Sequence, residues 1–209
     1  MIKIHNVDQQ SEEWFELKKK YPLSASHADA IGTGGVGLET ICYKAVSELY
    51  SANPIVKENF SNDQTSRGNE FEPLAAEIYE METETKLGLV GFVTNDEISQ
   101  YGGASPDREV LDSDGLVEIK AFEDHKHLKM INDFKKTGKF EIEKGYIWQM
   151  NQQMLFTGKK WVDFAAFNPN FKQSLLIQRV YPDPVMQEKL RIGLKKGDNL
   201  INETINNIK

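Results

Sequence analysis

A single cysteine, Cys42, in 209 residues excludes a disulfide framework, and the absence of a cysteine cluster excludes thiolate-bound zinc or an iron–sulfur centre. Any metal would have to be held by oxygen or imidazole. No run approaches the roughly 18 apolar residues of a membrane span. The opening MIKIHNVDQQSEEW has neither the apolar core nor the small-residue cleavage site of a secretion signal, so a cytosolic protein is expected. Positive charge is also short: 25 Lys and Arg stand against 32 Asp and Glu, a net charge of −7. That balance argues against a protein that coats nucleic acid through a broad excess of basic residues. It leaves room for an enzyme that acts on DNA, because a carboxylate-lined metal site concentrates negative charge that bound cations neutralise. With 39% apolar and 27% charged residues, the chain has the make-up of one globular domain over 1–209. No internal repeat, linker or low-complexity tract divides it.

Ser11, the acidic pair Glu12 and Glu13, an apolar face of Trp14 and Leu17 and three closing lysines predict a short helix over 11–20, stopping near Pro22. SASHADAIG (24–32) offers another capped helix start ended by glycines. GTGGVG (32–37) reads as a flexible loop before the helical ETICYKAVSELY. After a polar stretch through SNDQTS, RGNEFEPLAAEIYEMET carries Phe71, Leu74, Ala75, Ile78 and Met81 at helical spacing. The spacing predicts a helix of about four turns with Pro73 in the first. The pattern then shifts to alternating or β-branched runs: KLGLVGFVTN, YGGASPDREVL and GLVEIKAF read as three strands of a meander. FEDHKHLKMINDFKKTGKF reads as a basic, turn-rich segment. A helix follows from about Glu143 to Thr157, with Ile147, Met150, Met154 and Leu155 inward, then two strands in GKKWVDFAAFNP and QSLLIQRVYP. The tail from Pro184 to Lys209 is a last amphipathic helix.

The pattern with most chemistry is Pro106-Asp107 followed, eleven residues after Asp107, by Glu118-Ile119-Lys120. Side chains alternate along a strand, so Glu118 and Lys120 share a face. A hairpin that brings Asp107 alongside would let the two carboxylates share a hard divalent cation such as Mg2+. Ile119 points the other way, yet its backbone carbonyl remains free to serve as a ligand. Phosphodiester hydrolysis needs a polarised phosphoryl oxygen, an acidified water and a neutralised leaving oxygen. Lys120 would orient or deprotonate the water, or steady the phosphoryl charge. Alone, an E-x-K pair on a strand is usually an exposed ion pair worth under ~1 kcal/mol, and Pro-Asp is a common turn opener. Their joint spacing is what points to a site.

Four blocks, EEWFELKKKYPLSASHADAIG, SRGNEFEPLAAEIYE, YGGASPDREVLDSDGLVEIKAF and YIWQMNQQMLFTGKKWVDFAAFNP, stand in the order and spacing of the phage lambda exonuclease and YqaJ viral recombinase family, within the PD-(D/E)xK nucleases. The chain resembles that family over most of its length. The resemblance implies an α/β (α+β) fold with a restriction-endonuclease-like core, a central mixed β-sheet flanked by helices. It implies Mg2+-dependent 5′ to 3′ digestion of linear double-stranded DNA, with a pair of ions and Mn2+ able to substitute. It also implies a homotrimer, a phage or prophage recombination setting and a single-strand annealing protein as partner. Asp107, Glu118 and the Ile119 carbonyl resemble the family's metal ligands, and Lys120 its catalytic lysine. The carboxylate on the first helix falls on Glu72, with Glu70 the competitor, since residues two apart diverge by about 200° on a helix. Gln149 resembles a glutamine that reaches the site from a helix, although a solvated face shared with Asn151, Gln152 and Gln153 is the alternative. For DNA phosphates the resemblance points to Ser26 at a helix start, beside Ser24 as a plain N-cap, and to Ser105, with Arg67 as a basic candidate. Lys18 stands where the family often has arginine, keeping the charge without the bidentate fork.

Other features carry less. GTGGVG lacks the Gly-Lys-Ser/Thr ending of a nucleotide loop. His125 and His127 read as solvated or phosphate-facing, and Trp14, Trp148 and Trp161 as core. Two further functions stay open: a structure-selective or restriction-like endonuclease on the same fold, and a DNA-binding module that has lost its chemistry. A Cas4-like nuclease is disfavoured, since its cluster needs several cysteines.

Overall fold

Strand Gly115–Ala121 (β7) is the axis of the molecule, because its two faces bury different things. The computed structural model describes residues 1–51 and 63–209, and the side chains of 63–69 lie outside that description. Around β7, strands Leu87–Leu89 (β3), Arg108–Val110 (β6), Trp161–Phe167 (β8) and Leu175–Val180 (β9) form a five-stranded sheet in the order β3-β6-β7-β8-β9. The β7–β8 pair is parallel and the others are antiparallel, so the sheet is mixed as expected. Val117 and Ile119 pack with Ala165 and Phe167 under helix Asp63–Thr83 (α4), through Ala75, Ala76 and Tyr79. Leu116 faces the other way, with Phe164 and Val162, against Met150 and Met154 of helix Lys144–Thr157 (α6).

The expected meander is only partly realised. Its first run breaks into β3 and Phe92–Asn95 (β4), and its second into Gly102–Gly103 (β5) and β6. β4 leaves the main sheet to pair with Ile2–His5 (β1), and β5 pairs in parallel with Leu23–Ser24 (β2). Helix Glu12–Lys20 (α1) is capped by the Ser11 side chain on the Trp14 amide, as the sequence predicts. The SAS segment forms a single 3-10 turn (25–27), followed by Ala28–Thr33 (α2). Helix Val36–Tyr50 (α3) begins inside GTGGVG, so the anticipated loop shrinks to Gly34 and Gly35.

Two helix expectations need correction. Pro73 sits in the middle of α4, because the helix starts ten residues before it, at Asp63, within the polar stretch SNDQTS. Part of that stretch, 61–62, lies outside the described residues. The basic segment after β7 is no irregular connection: Asp124–Thr137 is a helix (α5) that buries His127 and Ile131 and ends at Gly138, whose φ of 71° suits glycine. The final helix, Pro184–Ile208 (α7), closes the second core by packing Leu190, Leu194 and Ile201 against Ile31, Leu38 and Trp148. Among the described residues no helix is long and apolar enough to cross a membrane.

Candidate active site

The β6–β7 hairpin carries the chemistry because its register sets Arg108 opposite Val117. Asp107, one residue before β6, thereby reaches across, and its Oδ2 accepts from the Ile119 amide at 2.7 Å. Lys120 Nζ lies 3.7 Å from the same oxygen and makes a closer ion pair with Glu118 Oε1. Thus Asp107, Glu118, Lys120 and the Ile119 carbonyl are brought together, and Lys120 Nζ donates to that carbonyl at 3.2 Å. From α6, Gln149 Nε2 donates to Glu118 Oε1 at 2.6 Å. From α4, Glu72 pairs with Arg108, whose guanidinium also donates to the Asp107 carbonyl oxygen at 2.6 Å. Glu70 is exposed.

Electrostatics follow from this crowding. Glu118 is wholly buried, and burial together with the Asp107 charge pushes its carboxyl up to about 7, against the pull of Lys120. Burial lowers the Lys120 ammonium, but Asp107 and Glu118 outweigh it and hold the ammonium well above its ordinary value. Glu72 is raised by burial and then by Asp107, with Arg108 opposing. Among the described residues no three or more His, Cys, Asp or Glu side chains gather as a ligand cluster. The donors here are two carboxylates and a backbone carbonyl, and Glu72 is engaged by Arg108.

Of the residues expected to hold phosphate, Ser105 and Lys18 meet at Trp14. Trp14 Nε1 donates to Ser105 Oγ at 3.0 Å, and Ser105 Oγ donates to the Gly91 carbonyl at 2.8 Å. Lys18 Nζ sits 4.4 Å from the Trp14 ring centroid, and burial lowers its ammonium. Trp14 is therefore a half-buried brace for Ser105 and Lys18 and not a core residue. Ser26 is exposed and its Oγ lies 2.8 Å from Ser24 Oγ. Ser24 occupies the cap position of the 3-10 turn without a side-chain cap bond, so it is no plain N-cap. The Arg67 side chain lies outside the described residues.

Three participants escape a reading by motif. Gln153, fully buried, donates to Glu118 Oε2 at 2.6 Å, and its spacing of four from Gln149 was the available signal. Asn151, Gln152 and Gln153 are all buried, so the solvated-face alternative for this stretch does not hold. Arg108 directly follows Asp107. Gln9 donates to the Pro106 carbonyl at 2.8 Å and to Val90 at 3.1 Å, pinning the corner that presents Asp107, and nothing in its local sequence marks it. His127 is buried, Nε2 lying 2.9 Å from the Gln173 carbonyl, so of this pair His125 alone is solvent-facing. Trp148 is core, as expected, while Trp161 lies half-buried beneath the Arg179 guanidinium at 3.5 Å.

The fold is shared with known nucleases. LHK-Exo in complex with dAMP superposes with a TM-score of 0.78 at 26% identity, over 95% of this chain and 96% of that one. The alkaline exonuclease LHK-Exo from Laribacter hongkongensis gives 0.74 at 24%, over 95% and 98%. A phage related exonuclease from Haemophilus somnus 129PT gives 0.63 at 14%, over 90% and 96%. No curated protein matches the chain. The model of the YqaJ-like viral recombinase domain matches residues 13–160, which contain Asp107, Glu118, Lys120 and both glutamines, and the chain belongs to that family.

Proposed function

We propose that the protein is a divalent-cation-dependent DNA exonuclease that digests linear double-stranded DNA from 5′ to 3′ and leaves 3′ single-stranded tails for recombination. The observation that carries this reading is the convergence of Asp107, Glu118, the Ile119 carbonyl and Lys120 on one hairpin. The family membership supports a DNA substrate. The resemblance to LHK-Exo, a structure with dAMP bound, supports release of nucleotides from an end.

The donor set fits a hard cation. All its atoms are oxygens, and the two carboxylates of Asp107 and Glu118 share the one Lys120 ammonium. Asp107, Glu118 and the Ile119 carbonyl would hold Mg2+, with Glu72 at the margin. When bound, the cation supplies Lewis acidity toward the phosphodiester and lowers the pKa of water. Lys120, held protonated by its two carboxylates, places positive charge where negative charge grows on the phosphoryl group. Gln149 orients the Glu118 carboxylate. Ser105, Lys18 and Ser26 would receive DNA phosphates; Trp14 holds the Ser105 oxygen in place, and its one proton, now donated to the Gly91 carbonyl, would turn to the phosphate. A homotrimer around the duplex and an annealing partner belong to the same proposal, on the family resemblance alone.

The test uses a linear duplex labelled at its 5′ ends and a closed circle, each with Mg2+ or EDTA. Loss of label from the linear DNA alone, abolished by EDTA, is expected. Cutting of the circle would replace the exonuclease by an endonuclease, and no metal-dependent cleavage of either would leave only a binding module.

A further inference from the structure

A carboxylate removed from water needs donors on both oxygens if it is to remain charged. Glu118 is fully buried, and its Oε1 is served by Lys120 and by Gln149. Oε2 receives Gln153 Nε2 at 2.6 Å. Gln153 is itself fully buried, and its own Oε1 has no hydrogen-bond partner. Turning the amide end for end would set two acceptor oxygens against each other, so Glu118 dictates which way the amide points. The two glutamines are four residues apart and share a face of α6. That helix is also anchored by Gln152, whose Nε2 donates to the Leu23 carbonyl at 2.9 Å and the Gly103 carbonyl at 3.2 Å.

We infer that Gln153 is a positioning residue of the cation site: with Gln149 it clamps both oxygens of Glu118 and fixes the plane of the carboxylate toward a divalent ion. Without Gln153, Glu118 keeps donors on Oε1 only and rotates toward Lys120, which neutralises it in place of the cation. A shell of this kind costs about 10- to 100-fold in metal affinity or activity when broken. The inference rests on the proposed reading of Glu118 as a ligand, and the experiment separates the two.

Mn2+ binding is measured by calorimetry on the metal-free protein for the wild type, Glu118→Gln, Gln153→Met and Gln152→Met. Gln153→Met keeps volume and removes the donor. It is expected to weaken Mn2+ binding about 10- to 100-fold and to raise the half-saturating Mg2+ in digestion by the same factor. At saturating cation its KM for DNA stays within about twofold of wild type. Gln152→Met, equally buried on the same helix, lowers the melting temperature and leaves Mn2+ affinity unchanged. A wild type that binds no Mn2+ overturns the cation reading and this inference with it. Wild-type affinity in Gln153→Met, with binding lost in Glu118→Gln, overturns the positioning role alone. Should Gln153→Met fail to fold, the side-chain amide resonances of the wild type decide. The Gln153 amide is expected to shift with Mg2+ saturation while that of Gln152 stays, and a Gln153 amide that does not move overturns the inference.

Discussion

Replacing Arg179 by methionine takes two of three donors from Asp163. That carboxylate lies at the centre of β8, only 4% exposed, and accepts from Arg179 Nε at 2.8 Å, Arg179 Nη2 at 2.9 Å and the Tyr79 hydroxyl at 2.7 Å. In the variant a buried charge is left with one neutral donor, and stranding a buried charge costs about 3–5 kcal/mol. For a chain of this length each kcal/mol moves the melting temperature roughly 2–4 °C, so a fall of about 6–20 °C is expected. Methionine retains part of the contact with the Trp161 ring, which keeps the packing loss small. Tyr79→Phe removes one donor while the guanidinium still serves both oxygens, and should cost only about 1 kcal/mol. Asp163→Asn in the Arg179→Met background removes the stranded charge and should recover most of the loss. Urea unfolding followed by circular dichroism reads all four proteins. If Arg179→Met costs no more than Tyr79→Phe, or the Asn substitution restores nothing, the charge argument fails. Tyr79 lies on α4 seven residues after Glu72, on the same face, so loosening this anchor also loosens the helix that carries Glu72.

Glu72→Gln should lower the cleavage rate whereas Glu70→Gln leaves it unchanged, because only Glu72 is joined to the Asp107 corner through Arg108; steady-state digestion of duplex DNA checks this, and equal losses would refute it. Burial pushes the Cys42 thiol up to about 11 from 9.0, so native protein should resist iodoacetamide at pH 8 and react once unfolded. The unfolded thiol ionises first, so this group's stabilisation is complete below about pH 9 and is lost as pH rises toward 11. Gly193→Ala would set a Cβ 1.9 Å from the Ile31 carbonyl oxygen and force α7 off α2, costing about 3 kcal/mol or more. Gly145→Ala, with nothing within 4 Å, should be neutral or stabilising by about 0.5–1 kcal/mol; thermal melts distinguish them.

The site core was legible because it is local. Period-two alternation puts Glu118 and Lys120 on one face, and one tight hairpin delivers Asp107. What came from afar was not. The Gln9 bond to Pro106 spans 97 positions, and no periodicity encodes it. α5 was hidden by its lysines, although His127, Ile131 and Phe134 recur at helical spacing and face the core. α4 looked shorter than it is because its first four residues, 63–66, are polar and Pro73 resembles a start. The split of β3 from β4 depends on pairing with β1, some ninety residues away, which local alternation does not register.

The most direct test of the account follows nucleotide release from linear duplex DNA with Mg2+ for the wild type, Asp107→Asn, Glu118→Gln and Lys120→Met at matched folded stability. The account predicts Mg2+-dependent release by the wild type and its near-abolition, a fall of at least about 100-fold, in all three variants. Wild-type rates in any of them, or release undiminished by EDTA, would contradict the claim that this hairpin is the catalytic centre.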